Sequence, residues 1–333
     1  MTSIYIMGEV GQAHEGNIAL AHAYIDALAE CGVDAVKFQI HIAEAESSIH
    51  EPFRVPLRYC DETRMEYWRR MEFTEKQWVA LKDHCESRGL DFVASPFSIE
   101  AVELLERIGV TTFKIGSGEV NNPLMLERIA ESGRDIILSS GMSSLTELDN
   151  AVEFLKNRNC RISLLQCTSA YPTAPRQWGI NMIVELDNRY QIPIGFSDHS
   201  GDIFACLAAA SSGARLLEFH IVFDKRMPGP DATSSLTIAQ ATEMIRGVRQ
   251  IEMALSNPVD KSDCSGFENL KVIFGKSLAV NKSLKKGHKL TFEDLEAKKP
   301  AGFGISPKYF GTVLCQALTR DIQKCDFLTE AHL

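Results

Sequence analysis

At 333 residues, with 45% hydrophobic and 24% charged side chains, the chain has room for one large α/β barrel of about 250 residues plus a small companion, and it is too apolar to be disordered. A net charge of −9 argues against nonspecific binding of nucleic acid or anionic membranes, so any anionic ligand requires positive charge focused at one place. The nine cysteines include no Cys-x-x-Cys pair, which points to reduced, mostly buried thiols rather than a disulfide framework or a thiolate zinc site.

The start, Met1 to Ile6, lacks the basic region and long apolar run of a signal peptide, and Glu9 follows at once; a cytoplasmic location is expected. From there short β-rich runs alternate with longer helical patterns, the mark of parallel βα units. Strands are predicted to end near Gly8, Gln39, Ser95, Ile115, Ser139, Gln166, Ser197 and His220. Helices are predicted over Ile18 to Cys31, Glu75 to Arg88, Ile99 to Ile108, Pro123 to Ser132, Ser144 to Asn157 and Ile203 to Ser212. Eight such strands close into a (β/α)8 TIM barrel occupying residues 1–256.

Local chemistry marks several boundaries. Thr74 with Gln77 forms a capping box, and Ser98 and Ser143 are N-cap candidates. The connection from His41 to Glu72, rich in Arg and aromatic residues, is long for a βα loop and suits a lid, an interface or a solvated excursion. The apolar stretch Ile203 to Phe223 is interrupted by Arg215, Glu218 and His220, so it reads as buried helix then buried strand and not as a membrane span. After a helix over Ile238 to Leu255, residues 257–273 form a linker, and residues 274–333 form a small β-rich module. In that module Leu284 to Leu295 aligns with Ile322 to Leu333, each copy giving a strand, a turn and a Thr that opens a short helical turn.

In such a barrel, functional groups gather where strands end. Lys37 and Gln39, Ser197 and His199, and Glu218 and His220 are each two apart, so alternation sends each pair to one side of the sheet. His199 and His220 fall at neighbouring strand ends, where two imidazoles suit an open octahedral ion such as Mn2+ or Mg2+ better than closed structural zinc. Lys37 and Lys114, with Ser117, Ser139 and Ser197, can hold a phosphate and a carboxylate; Glu9, Glu119, Glu218 and Asp231 can move protons, place water or meet sugar hydroxyls. Nucleotide motifs fail: Gly116-Ser117-Gly118 does not continue as a dinucleotide fingerprint, and Leu270 stands where a P-loop ending in Gly275-Lys276-Ser277 needs glycine. Ser197, Asp198 and His199 are adjacent on one strand and cannot form a hydrolase relay.

These residues sit within Gly8-Glu9-Val10-Gly11, Asp34-Ala35-Val36-Lys37-Phe38-Gln39, Ser95-Pro96-Phe97-Ser98, Lys114-Ile115-Gly116-Ser117-Gly118-Glu119, Gln166-Cys167-Thr168-Ser169-Ala170-Tyr171-Pro172, Gly195-Phe196-Ser197-Asp198-His199, Glu218-Phe219-His220 and Gly229-Pro230-Asp231. In this order they resemble the N-acetylneuraminate (sialic acid) synthases, with the related legionaminic and pseudaminic acid synthases. The tail, from Gly275 to Gly302, resembles the antifreeze-like (SAF) module of that family. The resemblance implies condensation of phosphoenolpyruvate with an N-acetylmannosamine-like amino sugar, and a domain-swapped homodimer. It implies that Lys37, Lys114, Ser117, Ser139, Ser169 and Ser197 bind phosphoenolpyruvate with Gln39 and Ser95 nearby, and that His199 and His220 hold the divalent metal. Glu9, Glu119, Tyr171 and Asp231 would face the sugar, Glu218 would place water, and Lys299 stands where the family has an arginine reaching a neighbouring sugar site. Ala13 and Ser169 depart from family asparagines. Two rival readings remain open: a Schiff-base aldolase using Lys37 or Lys114, and a carbohydrate-binding protein without turnover.

Overall fold

Strand alternation is what turns this sequence into a barrel with two chemically different ends. In the computed structural model, which describes residues 3–55 and 62–333, eight parallel strands are Tyr5–Glu9 (β1), Ala35–Ile40 (β2), Asp91–Pro96 (β3), Thr112–Ile115 (β4), Asp135–Ser139 (β5), Ile162–Cys167 (β6), Ile194–Asp198 (β7) and Leu216–Val222 (β8). Each pairs with its successor, and β1 pairs with β8, so the sheet closes. A two-residue strand, Leu236–Thr237, extends β8 sideways. The predicted Met1 and Thr2, and Arg58 and Cys60 of the long connection, lie outside the described residues.

Inward residues change character along the axis. At the lower level Met7, Ala35, Val93, Ile137, Leu165 and Leu216 form one apolar cluster. Two residues further on, the same strands present Glu9, Lys37, Ser95, Ser139, Cys167 and Glu218. Register aligns these levels: Met7 pairs with Ala35 and Glu9 with Lys37, while Ser197 pairs with Glu218. Gly195, opposite Leu165, leaves room for this lower layer; a Cβ there would stand 2.6 Å from Leu165 Cδ2 and 2.7 Å from Leu216 Cβ. Outward residues such as Ile6, Val36, Phe38, Phe113, Leu138 and Phe219 are fully or almost fully buried against the helices, forming the larger core.

The helices follow the predicted spans within a residue or two. Ile18–Cys31 begins at Asn17, whose side chain accepts from the N–H groups of Ala19 and Leu20. Thr74 and Gln77 make the expected capping box, and Ser98 caps Ile99–Arg107. One cap is corrected: the helix Leu145–Lys156 starts on Ser144, not Ser143, because Ser144 has Glu147 three residues on and both halves of a capping box form. The helix Asn181–Tyr190 was not predicted; its N-cap, Ile180, offers no side-chain hydrogen bond and hence no start signal. The helices Ala43–Glu46 and Arg64–Met71, inside the long β2–β3 connection, were also unpredicted.

The chain divides after Asn257, and Pro258–Leu333 forms a second compact unit. Within the stretch read as linker, Ser265–Phe267 and Glu268–Phe274 are helical. Strands Ser277–Val280 and Leu295–Lys298 pair antiparallel over a small core of Leu278, Val280, Leu284, Leu290, Val313, Leu318, Ile322 and Leu328. The sequence repeat has a structural counterpart: the first residues of the two copies, Leu284 and Ile322, pair antiparallel with reciprocal backbone hydrogen bonds. Thr291 and Thr329 then each open a short 3-10 turn. No helix among the described residues is long and apolar enough to cross a membrane.

Candidate active site

A cavity of about 560 Å3 opens at the carboxyl ends of the barrel strands. Lys37, Gln39, Ser95, Lys114, Ser117, Glu119, Ser139, Ser169, Tyr171, Ser197, His199, Glu218, His220 and Asp231 all line it. Strand register brings them together from six strands and the loops that follow. Glu9 does not reach the wall; it lies fully buried behind Lys37 and Gln39. Lys299 belongs to the second unit, where its ammonium lies 4.9 Å over the Phe274 ring.

Two lysines and a carboxylate organise the floor. Lys37, paired with Glu9, donates to Ser95 Oγ at 3.2 Å and lies 4.0 Å from Glu218 Oε2. Lys114 Nζ is 3.4 Å from Glu218 Oε1, and Ser197 Oγ donates to that same oxygen at 2.9 Å. Burial would raise the Glu218 carboxyl, but the Lys114 and Lys37 charges, the Ser197 hydrogen bond and His220 outweigh it and hold it at about 2. Burial pulls the Lys37 ammonium down, yet Glu218 and Glu9 overcome this and push it above its ordinary value, so it stays charged. Glu9 itself is pushed up by burial.

Around this floor stand hydroxyls with space to receive an anion. Ser139 is buried at the end of β5. Gly141 lets Ser117 and Ser169 converge: a Cβ at that glycine would lie 2.5 Å from both Oγ atoms. At an effective dielectric near 20, one ammonium about 4 Å from an anionic oxygen gains roughly 4 kcal/mol before desolvation. Ammonium charge and convergent hydroxyls together suit a small anion carrying phosphate or carboxylate oxygens.

The histidine pair lines the same cavity. The His199 and His220 rings are 5.2 Å apart between centroids, and Tyr171 packs 4.2 Å from His199. His199 Nδ1 lies 3.0 Å from the Thr168 carbonyl oxygen, which can only accept; Nδ1 therefore carries the hydrogen and Nε2 is left for another partner. Burial drives His220 down to about 3, so its imidazole is neutral and able to ligate. No group of three or more His, Cys, Asp or Glu side chains among the described residues is gathered to hold a metal. The facing imidazoles of His199 and His220 suit an ion that takes two nitrogen ligands and fills its other positions with water or substrate oxygens.

Several lining residues were not singled out from the sequence. Arg54, Arg64 and Trp68 come from the long β2–β3 connection, whose length and content of arginine and aromatic residues were the available signal. His41 is stacked between Trp68 and Phe97, with ring centroids 3.7 and 4.7 Å away, and its Nε2 meets Gln39 Oε1 at 3.0 Å. Cys167, read only as one of many buried thiols, sits in the wall 3.9 Å from His199 Nδ1.

A model of the NeuB family matches residues 24–260. The N,N'-diacetyllegionaminic acid synthase of Campylobacter jejuni is 31% identical, over 99% of this chain and 100% of its own. The N-acetylneuraminate-9-phosphate synthase of Homo sapiens is 33% identical, over 98% of this chain and 91% of its own. Among solved structures, an N-acetylneuraminic acid synthetase from Leptospira borgpetersenii superposes with a TM-score of 0.71 at 30% identity, covering 81% of this chain and 91% of the other. A shared family pattern across most of the barrel, full-length relatives and a matching closed barrel agree with the cavity's chemistry: this chain belongs to the NeuB family and is an enzyme of the nonulosonic acid synthase type.

Proposed function

We propose that this enzyme joins phosphoenolpyruvate to the open-chain aldehyde of an N-acetylmannosamine-like amino sugar, releasing phosphate by C–O cleavage. The observation that carries this reading is one cavity that brings together two lysines around the Glu218 carboxylate, converging serines and a pair of facing histidines. Lys37, Lys114, Ser117, Ser139, Ser169 and Ser197 hold the phosphate and carboxylate of phosphoenolpyruvate, with Gln39 and Ser95 beside them. His199 and His220 would hold a divalent metal, manganese or magnesium, which when bound polarises the aldehyde as a Lewis acid.

Carbon 3 of phosphoenolpyruvate forms the new C–C bond with the aldehyde carbon, whose oxygen becomes a hydroxyl. The cationic carbon 2 takes a water molecule, placed by the ionised Glu218 carboxylate, and the tetrahedral centre then collapses with loss of inorganic phosphate. Glu9 holds Lys37 from behind, while Glu119, Tyr171 and Asp231 face the sugar. A Schiff-base route through Lys37 is disfavoured by the two carboxylates that keep its ammonium protonated.

The second unit leaves Phe267, Ile273, Phe274, Phe292 and Phe303 more than half exposed, apolar surface that suits cover by a second copy of the chain. A homodimer is proposed on that ground, with Lys299 meeting the sugar site of a partner. Light scattering on the purified protein tests it, and a monomer at micromolar concentration rejects it. The reaction is tested by incubating the enzyme with phosphoenolpyruvate, Mn2+ and several N-acyl hexosamines, measuring phosphate release and product mass. Sugar binding without phosphate release under any divalent metal would reject turnover.

A further inference from the structure

Among the described residues, the lining borne by the connections between strands, here called the rim, differs in charge from the lysine-bearing strand ends, the floor. Arg54 and Arg64 are the arginines that line the cavity among the described residues, and each already meets a carboxylate. Arg54 Nη2 donates to Asp231 Oδ1 at 2.5 Å, with its guanidinium 3.7 Å over the Tyr171 ring. Arg64 Nε donates to Glu51 Oε1 at 3.1 Å, with its guanidinium 3.8 Å over Trp68. Glu51 is held on its other oxygen by Trp68 Nε1 at 3.0 Å and by Ser47. Burial would raise the Glu51 carboxyl, but the hydrogen bonds from Ser47, Arg64 and Trp68 outweigh it and keep it ionised at neutral pH.

Glu46 and Glu119 complete the rim. Glu46 Oε1 is engaged by His41 Nδ1 at 2.7 Å, and Glu119 Oε2 accepts from Asn122 Nδ2 at 2.7 Å. Among the described residues the rim thus sets four carboxylates, Glu46, Glu51, Glu119 and Asp231, against two guanidiniums. One lysine arriving from a second subunit would still leave the rim anionic. Among the described residues the converging serines of the floor have no counterpart here, so a second phosphate meeting Arg54 and Arg64 would have to displace the carboxylates they already hold.

We infer that the acceptor is an uncharged, unphosphorylated amino sugar, and that the Arg64–Glu51 and Arg54–Asp231 pairs, with Glu46, are the specificity determinants that exclude a phosphorylated one. This rests on the condensation proposed above. Hydroxyl and amide N–H groups are donors, which rim carboxylates can accept; a phosphate dianion is repelled by the same groups.

The test compares N-acetylmannosamine with its 6-phosphate as acceptors for the full-length protein with phosphoenolpyruvate and Mn2+, by phosphate release. The free sugar is expected to have a kcat/KM on the order of a hundredfold higher, because two like charges oppose the phosphate. Glu51→Gln and, separately, Glu46→Gln should each narrow that ratio by about tenfold through a gain on the phosphorylated acceptor. Equal or better use of the 6-phosphate by the unmodified enzyme overturns the inference. A ratio unmoved in both variants overturns the assignment to these residues. No phosphate release with any acceptor would instead remove the condensation itself.

Discussion

Ser197 Oγ donates to Glu218 Oε1 at 2.9 Å, and Lys114 Nζ stands 3.4 Å from the same carboxylate oxygen. The two residues are paired across β7 and β8, so barrel closure itself sets this contact. Glu218 is therefore the group on which both lysines converge. Substituting it tests whether its charge or only its shape is required.

Glu218→Gln keeps the side-chain volume and removes the charge facing Lys37 and Lys114. A fall in kcat of about a hundredfold or more is expected, with the KM for phosphoenolpyruvate unchanged or lower, because the ammoniums lose a competing anion. Steady-state phosphate release decides this; unaltered kcat would make Glu218 a bystander.

His220→Ala removes one of two facing imidazoles 5.2 Å apart. Metal-stimulated phosphate release should be abolished, and Mn2+ binding measured by electron paramagnetic resonance should weaken by tenfold or more, on the order of losing one ligand. Retention of both properties rejects the histidine pair as the metal site.

Lys114→Ala and Lys37→Ala should each raise the KM for phosphoenolpyruvate by at least about tenfold, since an ammonium in a buried site is worth more than in water. Borohydride treatment of the unmodified enzyme with phosphoenolpyruvate or pyruvate should leave its mass unchanged. A stable mass increment on either lysine would favour Schiff-base aldolase chemistry.

Burial lowers His14 and His220 from 6.5 to about 3 each, and His14 Nδ1 accepts a hydrogen bond from the Gly16 N–H at 3.0 Å, as only a neutral ring can. The unfolded chain takes up protons near 6.5 while the folded chain does not until about 3. Stability from these groups is complete above the unfolded value and is lost as pH falls through that window. His14→Asn, which preserves an acceptor for Gly16, should reduce the pH slope of unfolding free energy by about one proton between pH 6 and pH 4. Denaturant titrations at several pH values measure it, and an unchanged slope counts against a buried neutral His14.

Gly195→Ala places a methyl group against Leu165 and Leu216 in the lower barrel layer. A loss of about 1–3 kcal/mol is expected from overpacking. A denaturant midpoint equal to that of the unmodified protein would show that the layer can relax.

The barrel was legible because its parallel strands obey a two-residue period and its helices carry caps: Lys37, Ser197, Glu218 and His220 could be assigned to strand ends from spacing alone. The helix Asn181–Tyr190 was not, because Ile180 gives no capping signal. Ser143 and Ser144 are the same residue type, and the partnership with Glu147 three residues on is what selects Ser144 as the cap.

By itself, then, the sequence determined which residues would point inward and that their polarity would rise toward the carboxyl ends, since alternation is a local property of the strand. Tertiary structure alone decided that Glu9 lies behind Lys37 and not at the cavity wall, and that Arg54 and Arg64 return from the long connection to meet Asp231 and Glu51. Those contacts join residues separated by up to 177 positions, and no local periodicity encodes them. They follow from the closure of the sheet and from the pairing of charges that closure brings together.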